Sequence, residues 1–166
     1  MPGYVNSPGY VSVVHLHSPE CILRAGHVLH ELLHVLGFYH EHQRHDRDQH
    51  VKIIYDNILP GHEVNFKKVY TETFGLPYDV GSVMHYGARG FCADCSRNTI
   101  EAIRLETLEQ VHHMGQRLDM SAADVARVNR LYDCTDHYLG DDLPGAIPYI
   151  IWKCEREPDH SVCQET

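Results

Sequence analysis

The sequence contains no long hydrophobic run and only a small share of positive charge. No stretch approaches the roughly 18 consecutive apolar residues of a membrane-spanning helix, so we expect no membrane segment. Lysine and arginine number 14 against 23 aspartates and glutamates, which gives a formal net charge of −9. Because such a chain lacks a basic surface that neutralises phosphates, nucleic acid is not an expected partner.

The amino terminus also lacks a targeting segment. Residues 1–6 contain neither the basic nor the apolar region of a signal peptide. Six cysteines nevertheless form an even set, which is typical of disulfide-bonded proteins in oxidising compartments, and they leave many connectivities open. They are Cys21, Cys92, Cys95, Cys134, Cys154 and Cys163. We therefore expect a secreted, extracellular protein whose export signal lies outside this sequence.

Length and composition indicate a folded chain in which histidine is the abundant residue. The 166 residues correspond to about one domain with an appendage, and 43% hydrophobic residues suffice to bury a core. The 15 histidines outnumber lysine and arginine together. Because imidazole is the commonest metal ligand in proteins, metal chemistry is the first function class to test.

Hydrophobic periodicity predicts one strand and two helices. The β-branched run over residues 11–16, between Pro-Gly and Ser-Pro pairs, predicts an edge strand. A helix is predicted from about Cys21 to Leu36, where leucines recur at helical spacing. A second helix is predicted to begin at Ser121 with a capping-box pattern and to end near Cys134. The leucines of the first helix are Leu29, Leu32, Leu33 and Leu36.

The end of the chain is rich in glycine, proline and acidic residues. This composition predicts a main domain over residues 1–134 and an irregular tail over residues 135–166 that is held by Cys154 and Cys163. For Cys92 and Cys95, a disulfide within the pair or to the tail is favoured over a structural zinc site or a redox pair. The reason is that the sequence has no second close cysteine pair and no βαβ pattern.

The central feature is a run that combines histidines with one glutamate. His30 and His34 are four residues apart, so on a helix they lie on one face and can bind one ion. Glu31 lies beside them, where it can reach a water on the same metal. Gly37 permits a positive φ, and the reversed chain then brings His40 in from another side. Three neutral imidazoles around an open ion are typical of catalytic zinc.

A second motif strengthens this interpretation. Requiring Gly37 and His40 besides His-Glu-x-x-His reduces the chance occurrence to roughly one such sequence in two thousand. Solvated histidines on an ordinary amphipathic helix are therefore a minor alternative. Residues 82–87 then read Ser-Val-Met-His-Tyr-Gly. Together the two motifs resemble the astacin family of metzincin endopeptidases, and the resemblance runs from about Tyr4 to Cys134.

The resemblance implies a fold and a ligand set. The expected fold is α+β and metzincin-like, with an active-site helix, an edge strand and a largely irregular C-terminal half, and the cleft between the two parts. One Zn²⁺ per chain would be held by His30, His34 and His40, with Tyr86 as an additional ligand. In the family this tyrosine swings away to stabilise the transition state, and the methionine that matches Met84 forms a hydrophobic floor below the metal.

The same resemblance marks several departures. Family domains have roughly a further third upstream, so we expect a truncated or partial member in which Cys21 and Cys134 lack their family partners. Glu41 matches the family's anchor for the mature N terminus. His27 stands where the family usually has a small hydroxyl residue, and we expect it to line the cleft passively. The other histidines are expected to be solvated, among them His42, His45, His50, His112 and His113.

The function that follows is zinc-dependent hydrolysis of peptide bonds. Glu31 would take a proton from a metal-activated water, and Tyr86 would stabilise the oxyanion. The substrate would be an extended protein or peptide that adds along residues 11–16. The alternative is a catalytically impaired, protease-derived zinc-binding or interaction module. Arg117 is a candidate for selecting an acidic side chain after the cleaved bond, Arg89 is its rival, and a solvated arginine remains open.

Overall fold

The computed structural model describes residues 13–16, 18, 22–103 and 111–164. In these ranges the helices are α1 (Ala25–Val35), α2 (Ala122–Leu131) and α3 (Tyr149–Arg156), and the strands are β1 (Val51–Ile53) and β2 (Ile100–Ala102). Short 3₁₀ helices occupy Glu41–Gln43, Arg47–Gln49, Tyr55–Asn57, Glu63–Phe66, Val111–His113 and Ser161–Cys163. None of the described helices has the length and apolarity to cross a membrane. The combination of helices with a small sheet is consistent with the predicted α+β class.

Helix α1 is shorter than predicted but ends as expected. Arg24 has extended backbone, so the helix begins at Ala25 rather than near Cys21, which lies outside the described residues. At its end Gly37 has a φ of 98°. Two main-chain hydrogen bonds close the turn, from Phe38 N–H to the Leu33 carbonyl and from Gly37 N–H to the His34 carbonyl, both 3.0 Å long. This Schellman arrangement reverses the chain directly after the helix.

The buried face of α1 differs from the leucine stripe that predicted the helix. Gly26, His30 and Leu33 are buried, whereas Leu32 is 45% exposed. The periodicity therefore identified a helix correctly without identifying the side that packs. A buried histidine with a hydrogen-bond partner takes the position that an apolar side chain would usually have.

The predicted edge strand is not observed in its described part. Residues 13–16 belong to no strand, and Val11 and Ser12 lie outside the described residues. A strand requires a hydrogen-bonded neighbour, and the described ladder joins β1 and β2 instead. These two strands are antiparallel, with Val51 opposite Ala102 and Ile53 opposite Ile100. The β-branched run indicated strand propensity but no partner.

The chain forms two compact units, of which the first comprises residues 1–71 and 78–120. Its core contains Val51, Ile58, Phe66, Tyr78, Val80 and Ile100. Outside its two short 3₁₀ helices, the backbone over residues 38–50 is irregular, and buried arginines stabilise it. Arg47 donates to the His42 and Phe66 carbonyls. Arg44 donates to both carboxylate oxygens of Asp46, at 2.9 and 2.7 Å.

The second unit comprises residues 72–77 and 121–166. Helix α2 begins with the predicted capping box between Ser121 and Asp124 and ends at Leu131, three residues before the expected position. Arg130, whose side chain is fully buried, donates to three main-chain carbonyls within this unit, those of Phe74, Leu139 and Ile147.

The prediction of an irregular tail is wrong over Tyr149–Arg156, which forms α3. Tyr149, Trp152 and Lys153 are buried, at a helical spacing that the surrounding glycines and prolines concealed. The division into a domain over residues 1–134 and a tail over residues 135–166 stays a prediction.

Two disulfides are present among the described cysteines. Cys154 bonds to Cys163, a pairing that the sequence left open. Cys92 bonds to Cys95, which selects the pairing within the pair. Cys134 has no disulfide partner among the described residues, and Cys21 lies outside them.

Candidate metal centre and active site

The structure brings three of the predicted metal ligands together. Helix α1 places His30 and His34 one turn apart, and the turn at Gly37 returns His40 to the same point. Ligand nitrogens of the three side chains lie within 4.8 Å of one another. The centroids of the three rings are separated by 4.6, 4.7 and 5.1 Å. His34 Nε2 and His40 Nε2 are 3.2 Å apart.

A hydrogen bond orients each imidazole. Every ring donates its Nδ1–H to a protein oxygen: His30 to the Val83 carbonyl at 2.8 Å, His34 to the Phe38 carbonyl at 2.8 Å, and His40 to Oε1 of Gln43 at 3.2 Å. Because the proton lies on Nδ1, each Nε2 carries a free lone pair. Metal-binding histidines commonly show this arrangement, in which the second nitrogen fixes the tautomer and the ring orientation.

The donor set fits a zinc ion. Two Nε2 lone pairs at 3.2 Å repel each other unless a cation lies between them. Tetrahedral zinc with bonds of about 2.0–2.1 Å to nitrogen separates two ligand nitrogens by roughly 3.3 Å. Burial, together with the charges of His34 and His30, lowers the pKa of His40 to about 3. Burial also lowers the pKa of His30. Both rings are therefore neutral at pH 7, which is the form that binds metal.

Glu31 and Tyr86, the predicted catalytic residues, lie beside this cluster. Glu31 is exposed on α1. Burial lowers the pKa of His30 and the charge of Glu31 opposes that shift, so the carboxylate lies near this imidazole. The ring centroid of Tyr86 lies 4.6 Å from that of His40. Burial raises the pKa of Tyr86, and the charge of Arg117 opposes that shift.

The turn that contains Met84 is buried and connected to the cluster. Met84 is 2% exposed, and its carbonyl accepts a hydrogen bond from Glu41 N–H at 3.1 Å. The preceding residue, Val83, supplies the carbonyl that orients His30. The Glu41 carboxylate is itself buried and accepts hydrogen bonds from Asp79 N–H at 2.9 Å and from Arg44 at 3.1 Å.

Two histidines next to Tyr86 have a role that the sequence pattern did not predict. His42, predicted to be solvated, is fully buried and stacks on the Tyr86 ring with centroids 4.0 Å apart. His85 is also fully buried; its Nδ1 donates to the Tyr86 carbonyl at 2.6 Å, and its Nε2 accepts from the Tyr78 hydroxyl at 2.7 Å. The sequence offered one signal for each: His42 lies two residues after His40, and His85 directly precedes Tyr86.

The remaining predicted histidines behave differently from one another. His45, His112 and His113 are exposed, as expected. His50 is half-buried and stacks on Tyr78. His27 is half-buried, and its Nδ1 is shielded from solvent without a hydrogen-bond partner among the described residues. Its passive role in the cleft stays a prediction.

Arg117 lies close to the cluster, whereas Arg89 is exposed. Arg117 Nη1 donates to the His85 carbonyl at 3.1 Å and to the Gln116 carbonyl at 2.7 Å. Its charge lowers the pKa of Tyr86, although burial of that phenol has the larger, opposite effect. Half-buried and hydrogen-bonded to main chain, Arg117 is not a simply solvated arginine.

Comparisons with known proteins agree with this geometry. Residues 4–133 match the family model of Astacin, which describes a peptidase family. The chain is 46% identical over 138 residues to the low choriolytic enzyme of Oryzias latipes, covering 81% of this chain and 46% of that protein. It is 45% identical over 132 residues to an astacin-like metalloendopeptidase of Mus musculus, covering 79% of this chain and 29% of that protein.

A solved structure is also similar. It is high choriolytic enzyme 1, a hatching enzyme zinc-protease from Oryzias latipes, with a TM-score of 0.61, 42% identity, and coverage of 66% of this chain and 52% of that chain. The predicted α+β metzincin-like fold is thereby confirmed. The chain spans about half or less of the length of these relatives. Together with the three-histidine cluster, these matches indicate zinc as the metal, and the chain belongs to the astacin family of peptidases.

Proposed function

We propose that this chain is a zinc-dependent endopeptidase that cleaves extended protein or peptide substrates. It would hold one Zn²⁺ through Nε2 of His30, His34 and His40, with Tyr86 as a further ligand. The observation that carries the proposal is the convergence of these imidazoles while each Nδ1–H is held by a protein oxygen. When bound, the zinc ion supplies a Lewis acid that lowers the pKa of a water molecule towards neutrality.

The chain's own residues would carry out the proton transfers. Glu31, exposed beside His30, would accept the proton of the water and return it to the leaving amine. Tyr86 would donate a hydrogen bond to the oxyanion that forms at the scissile carbonyl. Burial supports this role, because it raises the pKa of Tyr86 and so keeps the phenol protonated at neutral pH.

Substitutions of Glu31 and of His34 separate the effect on catalysis from the effect on zinc binding. Glu31→Ala is expected to keep its zinc and to lose about 10²-fold to 10⁴-fold in peptide hydrolysis, the usual contribution of a general base. His34→Ala is expected to lose stoichiometric zinc. Glu155→Ala, which removes an exposed helical glutamate of α3, is the matched control and should leave both quantities unchanged.

The outcomes distinguish the two functions that the sequence left open. Unchanged turnover in Glu31→Ala would contradict the proposed mechanism, and zinc retained by His34→Ala would contradict the ligand set. A wild-type chain that binds one zinc ion and hydrolyses no peptide in a diverse library would instead support the impaired zinc-binding module.

Arg117 is the proposed selectivity residue for an acidic side chain just after the cleaved bond. Its guanidinium charge acts on Tyr86 and on the ligand histidines, so it is close to where the scissile bond would lie. A guanidinium can bind a carboxylate through two parallel hydrogen bonds. Profiling a peptide library with Arg117→Ala should show loss of an acidic preference that the exposed control Arg89→Ala retains. An unaltered preference in Arg117→Ala would exclude this role.

The proposed location is extracellular. Two disulfides, Cys92–Cys95 and Cys154–Cys163, are consistent with an oxidising compartment. Fractionation of cells that express the full natural transcript tests this location, and retention of the protein in the reducing cytosol would contradict it.

A further inference from the structure

The stacked pair of His42 and Tyr86 adjoins the metal-binding cluster. The two ring centroids are 4.0 Å apart and the planes differ by 30°. His42 is fully buried, whereas Tyr86 is only partly buried, and the Tyr86 ring lies 4.6 Å from His40. One face of the tyrosine therefore rests on a ring that solvent does not reach.

The carbonyl of Asn65 connects the His42 ring to His40, one of the proposed metal ligands, through hydrogen bonds. His42 Nε2 donates to the Asn65 carbonyl at 3.0 Å. The same carbonyl accepts from Gln43 Nε2 at 3.2 Å, while Oε1 of Gln43 accepts from His40 Nδ1 at 3.2 Å. The carbonyl of Asn65 thus ties the ring below Tyr86 to the ring of His40. Any displacement of His42 would alter the position of Tyr86 relative to that ligand.

The choice of histidine at position 42 is unusual, because only one of the two ring nitrogens makes a hydrogen bond among the described residues. Its Nδ1 is buried and has no hydrogen-bond partner among the described residues, and an unsatisfied buried polar atom is unfavourable. A leucine would fill the space without this cost but would offer no flat face. Glutamine would keep a donor for the Asn65 carbonyl but would also lose the face. Histidine combines a planar surface for Tyr86 with the donor that anchors it.

The other aromatic neighbours of Tyr86 do not replace this contact. Phe66 meets the Tyr86 ring nearly edge-on, at 5.9 Å and 83°, and Phe91 is tilted at 5.6 Å and 43°. These rings limit the sideways movement of the phenol. The face of His42, stacked at 4.0 Å and inclined by 30°, limits the plane in which the phenol lies.

We propose that His42 is a positioning residue for Tyr86, holding the plane of the phenol beside His40 so that the hydroxyl is presented to the reacting carbonyl. The proposal rests on the catalytic role proposed above for Tyr86. His42 is not one of the proposed metal ligands, although its ring lies 5.5 Å from that of His40. We expect its effect on hydrolysis to pass through the tyrosine hydroxyl.

A double-mutant cycle on the zinc-loaded chain tests this coupling. His42→Gln should lower kcat by roughly 10-fold with KM and zinc content unchanged, less than the about 10²-fold to 10³-fold that follows removal of an oxyanion donor. In a Tyr86→Phe background the same substitution should change kcat less than about 2-fold. His42→Phe, which keeps a flat ring, should retain more activity than His42→Gln. His45→Gln, which removes an exposed histidine stacked on Tyr70, is the matched control.

A second readout does not depend on hydrolysis. Tyrosine ring carbons can be labelled with ¹³C in the zinc-loaded chain of 19.0 kDa, and Tyr86→Phe assigns the signals of Tyr86. His42→Gln should shift these signals and speed the flipping of the Tyr86 ring, whereas His45→Gln and His42→Phe should have little effect.

The outcomes separate this inference from the proposed function. An equal loss of kcat in both Tyr86 backgrounds, or Tyr86 signals that His42→Gln leaves unchanged, would overturn the positioning role. Absence of hydrolysis by the wild-type chain would contradict the endopeptidase proposal, while the NMR comparison would still decide whether His42 positions the ring. If His42→Gln does not fold, His42→Phe is compared with wild type instead. Because His42→Phe keeps a flat ring, faster flipping of the Tyr86 ring in that variant would also overturn the positioning role.

Discussion

Gly26 is the point at which helix α1 meets the backbone of Arg117. A Cβ added to Gly26 would lie 2.3 Å from the Arg117 carbonyl carbon and 2.4 Å from its oxygen. Ordinary contacts with a Cβ begin near 3.4 Å, so Gly26→Ala requires a separation of 3.4 − 2.3 = 1.1 Å. Because the atoms in contact are main chain, no side-chain rotation can provide this space. Helix α1 or the segment around Arg117 must move.

Two opposing free energies decide the stability of this variant. Alanine in place of glycine favours a helix by at most about 1 kcal/mol, and less near its first turn. Forcing extra volume into a packed contact costs typically about 1–3 kcal/mol. We therefore expect the free energy of unfolding to fall by about 1–2 kcal/mol. Since His30 lies one turn after Gly26, a shift of this size should also lower peptide hydrolysis by about 10²-fold.

Urea unfolding and peptide hydrolysis of the same preparations measure both effects. Ala25→Gly at the exposed neighbouring position is the control, because it changes helix propensity without any clash. It should be slightly less stable than wild type and fully active. A Gly26→Ala protein that is more stable than wild type and equally active would contradict this prediction, since helix propensity alone would then govern the position.

Two further predictions concern groups that hold the loops around the site. Asn57 is 1% exposed; its Oδ1 accepts from Asp94 N–H at 3.0 Å, and its Nδ2 is within 3.2 Å of the Asp94, Arg97 and Asn98 carbonyls. The Asn57 amide uses two donor hydrogens and one acceptor oxygen, and each hydrogen bond contributes about 1 kcal/mol. Asn57→Ala should therefore lower the free energy of unfolding, measured by urea titration, by about 3 kcal/mol. For Asp46, burial disfavours the charged form, but the hydrogen bonds from Arg44 outweigh it and hold its pKa below 3.8. A carboxylate with a lowered pKa stabilises the fold above the unfolded pKa and loses that contribution as pH falls through the folded pKa. The stability advantage of wild type over Asp46→Asn should therefore be complete above about pH 5 and shrink as the pH falls below about 4.

Each of these predictions has a control and a contrary result. Asn98→Ala keeps its hydrogen-bonded carbonyl and should cost much less than Asn57→Ala; equal costs would mean that the Asn57 side chain does not organise this loop. For Asp46, Asp119→Asn, which removes an exposed carboxylate, is the control substitution. A wild-type advantage over Asp46→Asn that is constant from pH 7 to pH 2 would contradict the assignment of the stabilisation to the charged pair.

Local features of the sequence determined the parts of the fold that depend on neighbouring residues. The four-residue spacing of His30 and His34 requires only helical geometry. Gly37 ends that helix because its φ of 98° strains residues with a Cβ. The capping box at Ser121 also closes within one turn. Each of these interactions spans six residues or fewer, so the amino-acid pattern contains all of its participants.

Features that depend on contacts between residues far apart in the chain could not be predicted from the sequence. The β-branched run at residues 11–16 predicted a strand, but the described ladder pairs β1 and β2, about 50 residues apart. Helix α3 was concealed by the glycines and prolines around it, and its burial of Trp152 depends on packing within its own unit. In α1 the leucine spacing revealed the helix, while tertiary contacts decided that Gly26 and His30 face inward.

Residue types and their spacing alone therefore predict which three imidazoles converge, because a helical turn and the glycine turn after it bring them to one point. The tertiary structure decided which nitrogen of the His30 ring is free, whereas His34 and His40 are oriented by residues three or four positions away. The Val83 carbonyl that fixes the His30 tautomer is 53 residues away, and no local pattern specifies it. It also decided that His42 is buried against Tyr86, because the Asn65 carbonyl that anchors it belongs to a separate turn. Side-chain hydrogen bonds over such separations depend on the complete packing, whereas helical spacing depends on the backbone alone.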